Sequence, residues 1–416
     1  MTTEIAKSVT TCRVCGAADW QEVISFGSVP LANAYLDKPG PEEAYPLELI
    51  SCRSCRLLSL TAVVDPQALY RDYAYVTSES ETMTHHMRDV VRLCRERIDA
   101  GGLVVELGSN TGNQLQLFQQ AGHPVLGVDP AQNLAAIAER RGVPTVADYF
   151  NEKVATAIAG EHGRASLILG RHVFAHIDDL ADVLRGVKAL LTDDGLFAIE
   201  VPYACDLLER VAFDTIYHEH LSYFLISTLD RLFTRHGLRA IDVRRLAVHG
   251  GSVLVTAARM GSRWETDERV GELIAYEKSE RLDTDARYEQ FAARVHALRR
   301  ELTELVRKEA ANGKRVAGYG ASAKGTTLLN ICELTSTEVR FCTDTTPQKQ
   351  GRFVPGTQIP IVAPGDVSEQ PDLYLLLAWN YAEEILQREA AFLDAGGAFI
   401  IPVPEPAVYA RQKVRQ

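Results

Sequence analysis

The stretch "VVELGSNTGNQLQLF", residues 104–118, joins an apolar run, a tight polar turn and the start of a helical pattern. Its signature is E-x-G-x-N-x-G, formed by Glu106, Gly108, Asn110 and Gly112. Glycine lets the backbone turn sharply, and asparagine tolerates a positive φ better than most residues do. The stretch therefore predicts a strand, a turn whose backbone amides can approach a ligand closely, and a helix.

Apolar runs alternate with helical patterns on both sides of this turn. The runs "LVVELG", "PVLGVD", "SLILG", "LFAIEVP" and "SVLVTA" lie within residues 101–257. A second block, "KRVAGYG", "EVRFCTD", "DLYLLLAW" and "AFIIPVP", follows a charged helical stretch at about 264–312. Such alternation predicts parallel sheets with helices on both faces, so the fold class is α/β.

A stripe of apolar residues three and four positions apart marks the charged stretch as a connector helix packed on a core. The stripe consists of Tyr288, Phe291, Val295, Leu298, Leu302 and Leu305. Residues 1–75 instead mix short apolar runs with turn residues and predict a small β-rich module. We therefore divide the chain into three segments, 1–75, 76–262 and 263–416.

Composition excludes several classes of protein. The chain has 416 residues and a formal net charge of −11, which disfavours broad binding to nucleic acid or to anionic membranes. No run of about 18 apolar residues is present, and the N-terminus lacks the apolar core of a secretory signal. We expect a cytoplasmic protein. The absence of a large exposed apolar signature favours a monomer.

Four of the eight cysteines lie in the first 55 residues, as the pairs "CRVC" and "CRSC". Cys12, Cys15, Cys52 and Cys55 form two C-x2-C knuckles, and 36 residues separate the pairs. Two knuckles can bring four thiolates to a tetrahedral Zn²⁺ site with no open position, which indicates structural zinc. Disulfides or chance spacing are the alternatives. The other four cysteines are interpreted as apolar core residues.

The turn at 106–112 favours a cofactor with a cationic end. Asp129 ends the next strand, 21 positions after Gly108, where a carboxylate can bind two ribose hydroxyls. The dinucleotide spacing G-x-G-x-x-G is absent, and Glu106 would repel a pyrophosphate but attract an ammonium or a sulfonium. S-adenosylmethionine (SAM) is therefore favoured over a nicotinamide cofactor or an empty turn. Asp148, in "ADYF" (147–150), is predicted to lie near the adenine.

The stretch "DTIYHEHLSYF", residues 214–224, concentrates groups that can move protons. A carbon nucleophile must lose a C–H proton, and the charge that remains must be stabilised until the methyl group arrives. His, Glu and Tyr side chains fit both requirements. The alternative is that the tyrosines are core residues and that His218 is a structural donor.

Motifs along nearly the whole chain resemble those of the nucleotide-sugar C-methyltransferases that act on TDP-linked 4-ketodeoxysugars. The motifs are the cysteine knuckles, "YAYVTSES", "ELGSNTGNQL", "FAHIDDL", "IEVPY", "DTIYHEHLSYF", "HGGS", "GYGASAKG", "KQGRFVPG" and "AWNYAEEI". The resemblance is strongest to the C-3 methyltransferases of tetronitrose biosynthesis. It implies an N-terminal zinc-binding lobe (1–75), a central SAM-dependent Rossmann-like domain (76–262) and a C-terminal Rossmann-like lobe (263–416) that binds the sugar nucleotide.

The resemblance also implies roles for single residues. His220 would remove the proton beside the ketone, and Glu219 would hold or polarise that site. Tyr217 and His176 would lie by the keto oxygen or the sugar ring, and Tyr75 would close the pocket. Two departures from the family stand out: Leu254 replaces a frequent arginine after "HGGS", and Arg171 with His172 makes one strand end unusually charged. His172 is a competitor for the role of base, although a structural role is favoured.

The second glycine turn, "RVAGYGASAKG", has the dinucleotide-like spacing of Gly318, Gly320 and Ala323. By itself it predicts a second nucleotide site or a purely structural turn. The resemblance assigns this lobe to the nucleotide half of the sugar donor. The residues predicted to bind this substrate are Lys324, Lys349, Arg352, Asn380 and Tyr381.

We therefore expect a zinc-containing, SAM-dependent methyltransferase. Its predicted reaction adds a methyl group to C-3 of a TDP-3-amino-4-ketodeoxysugar, through an enolate, in deoxysugar and antibiotic biosynthesis. One alternative is methylation at C-3 or C-5 of a non-amino TDP-4-ketosugar. The others are a non-catalytic sugar-nucleotide-binding protein and a nicotinamide-dependent ketosugar reductase that uses the second turn.

Overall fold

The computed structural model describes residues 6–70 and 81–411, and the chain forms two compact units. The first unit consists of Met1–Gln21, Ile50–Cys205 and Leu221–Asp285, and the second of Glu22–Leu49, Asp206–His220 and Ala286–Gln416. These units are not continuous in sequence, because two short segments join the C-terminal part of the chain. The division into three sequential domains stays a prediction.

Five strands confirm the β-rich start of the chain. They are β1 (Ala6–Ser8), β2 (Trp20–Val29), β3 (Tyr45–Cys52), β4 (Leu58–Leu60) and β5 (Ala62–Val64). In the first unit β1 pairs antiparallel with β5. The segments of β2 and β3 that belong to the second unit are neighbours in their sheet.

A seven-stranded sheet forms the centre of the first unit. Its strands are β6 (Val104–Leu107), β7 (Val125–Val128), β8 (Thr145–Val146), β9 (Ala165–Arg171), β10 (Leu191–Pro202), β12 (Leu238–Leu246) and β13 (Ser252–Arg259); the short β11 (Ser222–Tyr223) pairs instead with β4. The strand order is β12-β13-β10-β9-β6-β7-β8. The pairs β10–β13 and β12–β13 are antiparallel, and the other pairs are parallel.

This topology places a switch point between β6 and β9, because the chain adds strands on opposite sides of that pair. Ligands of such sheets bind at the carboxyl ends of the strands beside the switch point. The predicted runs correspond to β6, β7, β9, β10 and β13. Strand β12 is not among them, because charged residues interrupt "LRAIDVRRL".

Nine helices accompany the strands in the part of the chain up to Ser279 that the structure describes. They are α1 (Pro66–Tyr70), α2 (Glu81–Arg95), α3 (Asn113–Gln120), α4 (Gln132–Arg140), α5 (Glu152–His162), α6 (Leu180–Leu190), α7 (Ala204–Arg210), α8 (Ile226–Arg235) and α9 (Glu268–Ser279). Helices α2 and α3 pack on one sheet face, where Val91, Phe118, Leu169 and Ala198 share a buried cluster. Each large apolar side chain buried there contributes roughly 1.5–3 kcal/mol.

The second unit contains a six-stranded sheet in the order β16-β15-β14-β17-β18-β19. Its strands are β14 (Val316–Tyr319), β15 (Val339–Thr343), β16 (Ile361–Val362), β17 (Leu373–Leu376), β18 (Ala398–Ile401) and β19 (Ala407–Tyr409). Only the β18–β19 pair is antiparallel. The parallel strands and their switch point at β14 and β17 confirm a Rossmann-like C-terminal fold.

The predicted connector helix is two helices, α9 and α10 (Asp285–Ala311), separated at residues 280–284. Along α10 the predicted stripe is buried as far as Leu302, after which Val306 is buried and Leu305 is only partly covered. The remaining helices are α11 (Ala323–Ile331), α12 (Ala382–Arg388) and α13 (Ala390–Asp394). Within 6–70 and 81–411, no helix combines the length and the apolarity needed to span a bilayer.

Candidate active site

The turn after β6 has the backbone conformation that its glycines predict. Gly108, Asn110 and Gly112 all have positive φ, at 64°, 52° and 79°. A Cβ atom on Gly108 would lie 3.0 Å from the Val173 side chain, and one on Gly112 would lie 3.0 Å from Val143. Larger residues at these two positions would be strained and crowded, so the glycines are required here.

Asp129 follows β7 and faces this turn. Its two carboxylate oxygens accept hydrogen bonds from the backbone amides of Asn110 (2.7 Å) and Ala131 (2.9 Å). These bonds fix the carboxylate at the strand end where a ribose would bind. Asp148 lies beyond β8 and is exposed, and its carboxylate accepts a bond from the amide of Tyr149.

Glu106 is buried beneath the turn and is 2% exposed. Burial raises its pKa to about 8, the Arg171 guanidinium opposes that shift, and Asp129 adds to it. One carboxylate oxygen, Oε2, has no hydrogen-bond partner. A buried acid with unused bonding capacity beside a glycine turn fits a ligand with a cationic end, as SAM has.

A further buried carboxylate, which the sequence did not single out, lies near the end of β10. Glu200 is fully buried and bonds two histidines, His86 Nε2 at 2.7 Å and His172 Nε2 at 2.9 Å. Burial acts to raise the pKa of Glu200, but the two histidines hold that pKa well below its ordinary value. His172 is thus engaged by Glu200, which agrees with a structural role for this side chain.

His176 lies in the short 3-10 helix Phe174–His176, which follows β9. Its Nδ1 is 3.2 Å from the Tyr70 hydroxyl, and the two rings stack with centroids 5.9 Å apart. Burial lowers the pKa of His176 to about 3, so the imidazole is neutral at physiological pH. Tyr75, predicted to close the pocket, lies outside the described residues.

In the second unit, His220 is oriented from both ring nitrogens. Its Nδ1 is 2.9 Å from the Thr215 carbonyl oxygen, which can only accept, so Nδ1 carries the proton. Nε2 is therefore the basic nitrogen, and it lies 2.9 Å from the Tyr217 hydroxyl. An imidazole held at Nδ1 by a backbone acceptor, with Nε2 facing a hydroxyl, is the arrangement expected of a general base.

The neighbours of His220 have different partners. Glu219 accepts a 2.6 Å bond from Asn33, a residue from the segment between β2 and β3. His218 donates from Nε2 to the Tyr45 carbonyl at 3.1 Å, which agrees with the alternative of a structural donor. Asp214, from the same stretch, is fully buried and accepts a 2.5 Å bond from the Trp379 indole.

Interactions within the protein occupy the second glycine turn. The Tyr35 hydroxyl and the Lys349 ammonium both donate to the Ala321 carbonyl, at 2.5 and 2.9 Å. Asp344, the acid after β15, accepts from the Ala321 amide and pairs with Lys349 at 3.3 Å. A Cβ atom on Gly318 would lie 2.5 Å from the Cys342 sulfur, so close packing also requires this glycine.

The other residues predicted to bind substrate lie on both sides of this turn. Lys324 lies in the first turn of α11 with its ammonium 5.2 Å from the Trp379 ring centre, and burial lowers its pKa. Arg352 pairs with Asp37 at 3.1 Å. The remaining two, Asn380 and Tyr381, are half-buried just after β17. Phosphate binding by these residues stays a prediction.

The four knuckle cysteines converge in the first unit. Their sulfur atoms lie within 4.8 Å of one another, with 3.5 Å between Cys12 and Cys55 and between Cys15 and Cys52. All four are free thiols, which rules out the disulfide alternative here. Among residues 6–70 and 81–411 this is the only such group of potential metal ligands, and it suits tetrahedral zinc. Cys94, Cys205, Cys332 and Cys342 are buried, as predicted.

Comparison with known proteins agrees with this geometry. A curated relative, C-methyltransferase NovU of Streptomyces niveus, is 49% identical over 411 residues, which cover 97% of this chain and 98% of the relative. The chain belongs to the C-methyltransferase family. Three family models match consecutive parts of it: a zinc binding domain (12–70), a methyltransferase domain (80–243) and a C-methyltransferase C-terminal domain (247–404).

Solved structures of other methyltransferases are similar to part of this C-methyltransferase. Magnesium protoporphyrin IX methyltransferase of Synechocystis PCC 6803 with bound SAM is 12% identical, with a TM-score of 0.34 over 45% of this chain and 88% of that one. The 1,6-didemethyltoxoflavin-N1-methyltransferase of Burkholderia thailandensis is 22% identical, with a TM-score of 0.33 over 45% of this chain and 80% of that one.

The protein is thus a SAM-dependent C-methyltransferase with a structural zinc site. When bound, SAM supplies a methyl group activated by its positively charged sulfur. The turn residues and Asp129 would hold its nucleoside end. Glu106 would bind its α-ammonium.

We expect the affinity of this C-methyltransferase for S-adenosylhomocysteine to rise with pH between 6 and 7.5. Below its pKa of about 8, Glu106 carries a proton that it must lose before it can pair with the ligand ammonium. Each unit of pH then changes affinity up to about tenfold. Calorimetric titration checks this expectation. The Glu106→Gln variant should bind S-adenosylhomocysteine more weakly than wild type, and its affinity should not rise between pH 6 and 7.5. A wild-type affinity that is flat from pH 6 to 7.5 would contradict the assignment.

Proposed function

We propose that the enzyme methylates C-3 of a TDP-3-amino-4-ketodeoxysugar through an enolate, in the biosynthesis of an antibiotic deoxysugar. The observation that carries this proposal is the orientation of His220: Nδ1 donates to the Thr215 carbonyl, so Nε2, 2.9 Å from the Tyr217 hydroxyl, is the ring nitrogen that can take up a proton. A base in this tautomer can remove a proton from carbon without first losing one of its own. The 49% identity to a C-methyltransferase supports carbon as the atom that is methylated.

His220 takes the C–H proton, and the electron pair of that bond becomes the enolate. Tyr217 can then donate its hydroxyl proton in a hydrogen bond to the enolate oxygen, since its hydroxyl lies 2.9 Å from the same imidazole. Glu219, bonded to Asn33, would orient the sugar or polarise the reacting carbon. His176, neutral because of burial, stays a predicted contact of the sugar ring.

Deuterium exchange tests the proposal. In D2O, with S-adenosylhomocysteine present and no methyl donor, the enzyme should exchange one ring hydrogen of the TDP-4-ketosugar, at C-3. NMR of the recovered sugar locates the deuterium, and a reaction without enzyme corrects for spontaneous exchange. Deuterium at C-5 alone would indicate C-5 methylation instead. No exchange, together with no methyl transfer from SAM, would favour a non-catalytic sugar-nucleotide-binding protein.

The choice of sugar is tested separately. We expect the 3-amino sugar to be methylated with a higher kcat/KM than the matching 3-hydroxy sugar, and equal or reversed values would favour the non-amino substrate. We also propose that the enzyme acts in the cytoplasm and that it is a monomer. Light scattering of the zinc-bound protein would check the monomeric state.

A further inference from the structure

Three ionisable side chains form a row across adjacent strands beside the turn at 106–112. Glu200 on β10 is in register with Arg171 on β9, and Glu106 on β6 is in register with Leu169, two positions before Arg171. Side chains two positions apart on a strand share a face. The row therefore consists of a glutamate, an arginine and a second glutamate at the carboxyl edge of one sheet face. This is the face that carries the buried apolar cluster of α2 and α3.

The three members of the row differ in how their bonding capacity is used. Both oxygens of Glu200 are bonded to histidines. Arg171 and Glu106 approach each other only to 3.9 Å, which is too far for a hydrogen bond. Arg171 Nε and Glu106 Oε2 are both buried without a hydrogen-bond partner, and the Arg171 side chain is 9% exposed.

Leaving two buried, ionisable groups short of hydrogen bonds is costly. An unsatisfied charged group loses more than the roughly 1–3 kcal/mol of an ordinary buried polar atom. A structural ion pair would close to bonding distance and recover that energy. The open pair, one cation and one carboxyl beside the glycine turn, instead matches a ligand that brings both an anion and a cation.

The backbone around Arg171 holds this geometry in place. The amide of His172 donates to the Glu200 carbonyl at 2.7 Å, and His172 has a left-handed φ of 54°. The His172 side chain is bonded to the Glu200 carboxylate, so Glu200 fixes both the main chain and the ring of His172. Val173 then packs against the position of Gly108. Arg171 is thereby fixed next to the turn from its C-terminal side.

We propose that Arg171 binds the α-carboxylate of the cofactor's amino-acid end, while Glu106 binds the α-ammonium. The two groups together recognise a zwitterion. A guanidinium suits this task because its planar donors match a carboxylate and it stays protonated. The inference rests on the same SAM site as the proposed function, but it does not depend on which sugar carbon is methylated.

Calorimetric titration of the zinc-bound enzyme with two probes tests the assignment. One probe is S-adenosylhomocysteine, and the other is its analogue without the carboxylate, 5′-deoxy-5′-(3-aminopropylthio)adenosine. Arg171→Met should weaken binding of S-adenosylhomocysteine at least tenfold and leave binding of the analogue unchanged within about twofold. Arg140→Met, which alters an exposed arginine on α4, should change neither affinity.

The outcomes separate the possible roles of Arg171. An equal loss for both probes would show that Arg171 only maintains the shape of the site, and unchanged affinity for both would show that it does not contact the cofactor; either result overturns the proposal. Arg171→Lys should bind S-adenosylhomocysteine more tightly than Arg171→Met, which keeps the test informative if the methionine variant folds poorly. Wild-type enzyme that binds neither probe would contradict the SAM assignment itself.

Discussion

Replacing His220 by asparagine is expected to lower kcat for methyl transfer about 1,000-fold and to change the affinity for either ligand less than threefold. General-base catalysis contributes roughly 10²–10⁴-fold. Asparagine can still accept or donate hydrogen bonds, but it cannot take up a proton from carbon. Steady-state kinetics with SAM and the TDP-4-ketosugar give kcat, and calorimetry gives the two affinities.

Two neighbouring variants show whether the loss is specific to His220. Tyr217→Phe removes the hydroxyl 2.9 Å from Nε2 but keeps the ring, so we expect a smaller decrease in kcat, of about tenfold. His218→Asn changes a histidine that bonds the Tyr45 carbonyl, so its main effect should be on thermal stability. Near-normal turnover of His220→Asn would show that another group, Glu219 or Tyr217 first, is the base.

The exchange assay locates the defect in His220→Asn. If His220 is the base, the variant should lose exchange of the C-3 hydrogen as well as methyl transfer. If exchange persists while methyl transfer is lost, His220 acts after deprotonation, and the proposed role is wrong. This comparison needs no knowledge of the rate-limiting step.

Sequence alone predicted the parts of the site that short chain segments determine. The turn at 106–112 and the acid Asp129 follow from strand–turn–helix patterns, because a left-handed turn demands glycine or asparagine wherever it occurs. The convergence of the cysteines follows from their spacing. The hydrogen bonds of His220 to Thr215 and Tyr217 also lie within the stretch 215–220, although the sequence could not decide whether that stretch is extended.

Contacts between distant segments could not be predicted in the same way. Glu200 meets His86, 114 positions earlier in the chain, and no local pattern connects them. One signal was available: an acid inside the apolar run "LFAIEVP" is buried if that run is a central strand, and a buried acid needs partners. At Lys349 the local sequence instead predicted a site that the structure does not show free. Its loop suggests an anion site, but its ammonium is bonded to the Ala321 carbonyl and the Asp344 carboxylate.

The zinc site leads to the second prediction of a large effect. The two knuckles have the same backbone geometry: the amide of Gly16 bonds the Cys12 carbonyl, and the amide of Arg56 bonds the Cys52 carbonyl, at 2.8 and 2.7 Å. Both residues that follow a knuckle have positive φ, 76° and 60°. Arginine seldom adopts this conformation, so the knuckle imposes it on Arg56.

Four sulfurs packed together require a cation if all are to be thiolates. A hydrogen bond from Cys55 lowers the pKa of Cys12 to about 5, while the same pairing and burial raise the pKa of Cys55. In the absence of metal, the negative charge of one thiolate therefore disfavours ionisation of the neighbouring thiols. Zinc removes that opposition, and structural zinc sites contribute folding free energy directly, roughly 10–16 kcal/mol in small zinc peptides.

We expect purified enzyme to contain about one zinc per chain by atomic emission, and Cys52→Ala to contain less than a tenth of that. The variant should unfold in the cysteine-containing part of the first unit at least 10 °C below wild type, because several kcal/mol of metal binding are lost and each shifts the midpoint by about 4–8 °C in a small domain. Limited proteolysis followed by mass spectrometry identifies which part opens first.

Cys94→Ala is the matched control, since Cys94 is also buried in the first unit but lies outside the cluster. It removes one sulfur from the apolar core and should keep the zinc, with a destabilisation of only about 1 kcal/mol. Zinc at full stoichiometry in Cys52→Ala, or none in the wild type, would contradict the four-thiolate site. Equal destabilisation of both variants with the zinc lost only from Cys52→Ala would show that the metal binds without stabilising the fold, so the structural role would be wrong while the ligand set stands.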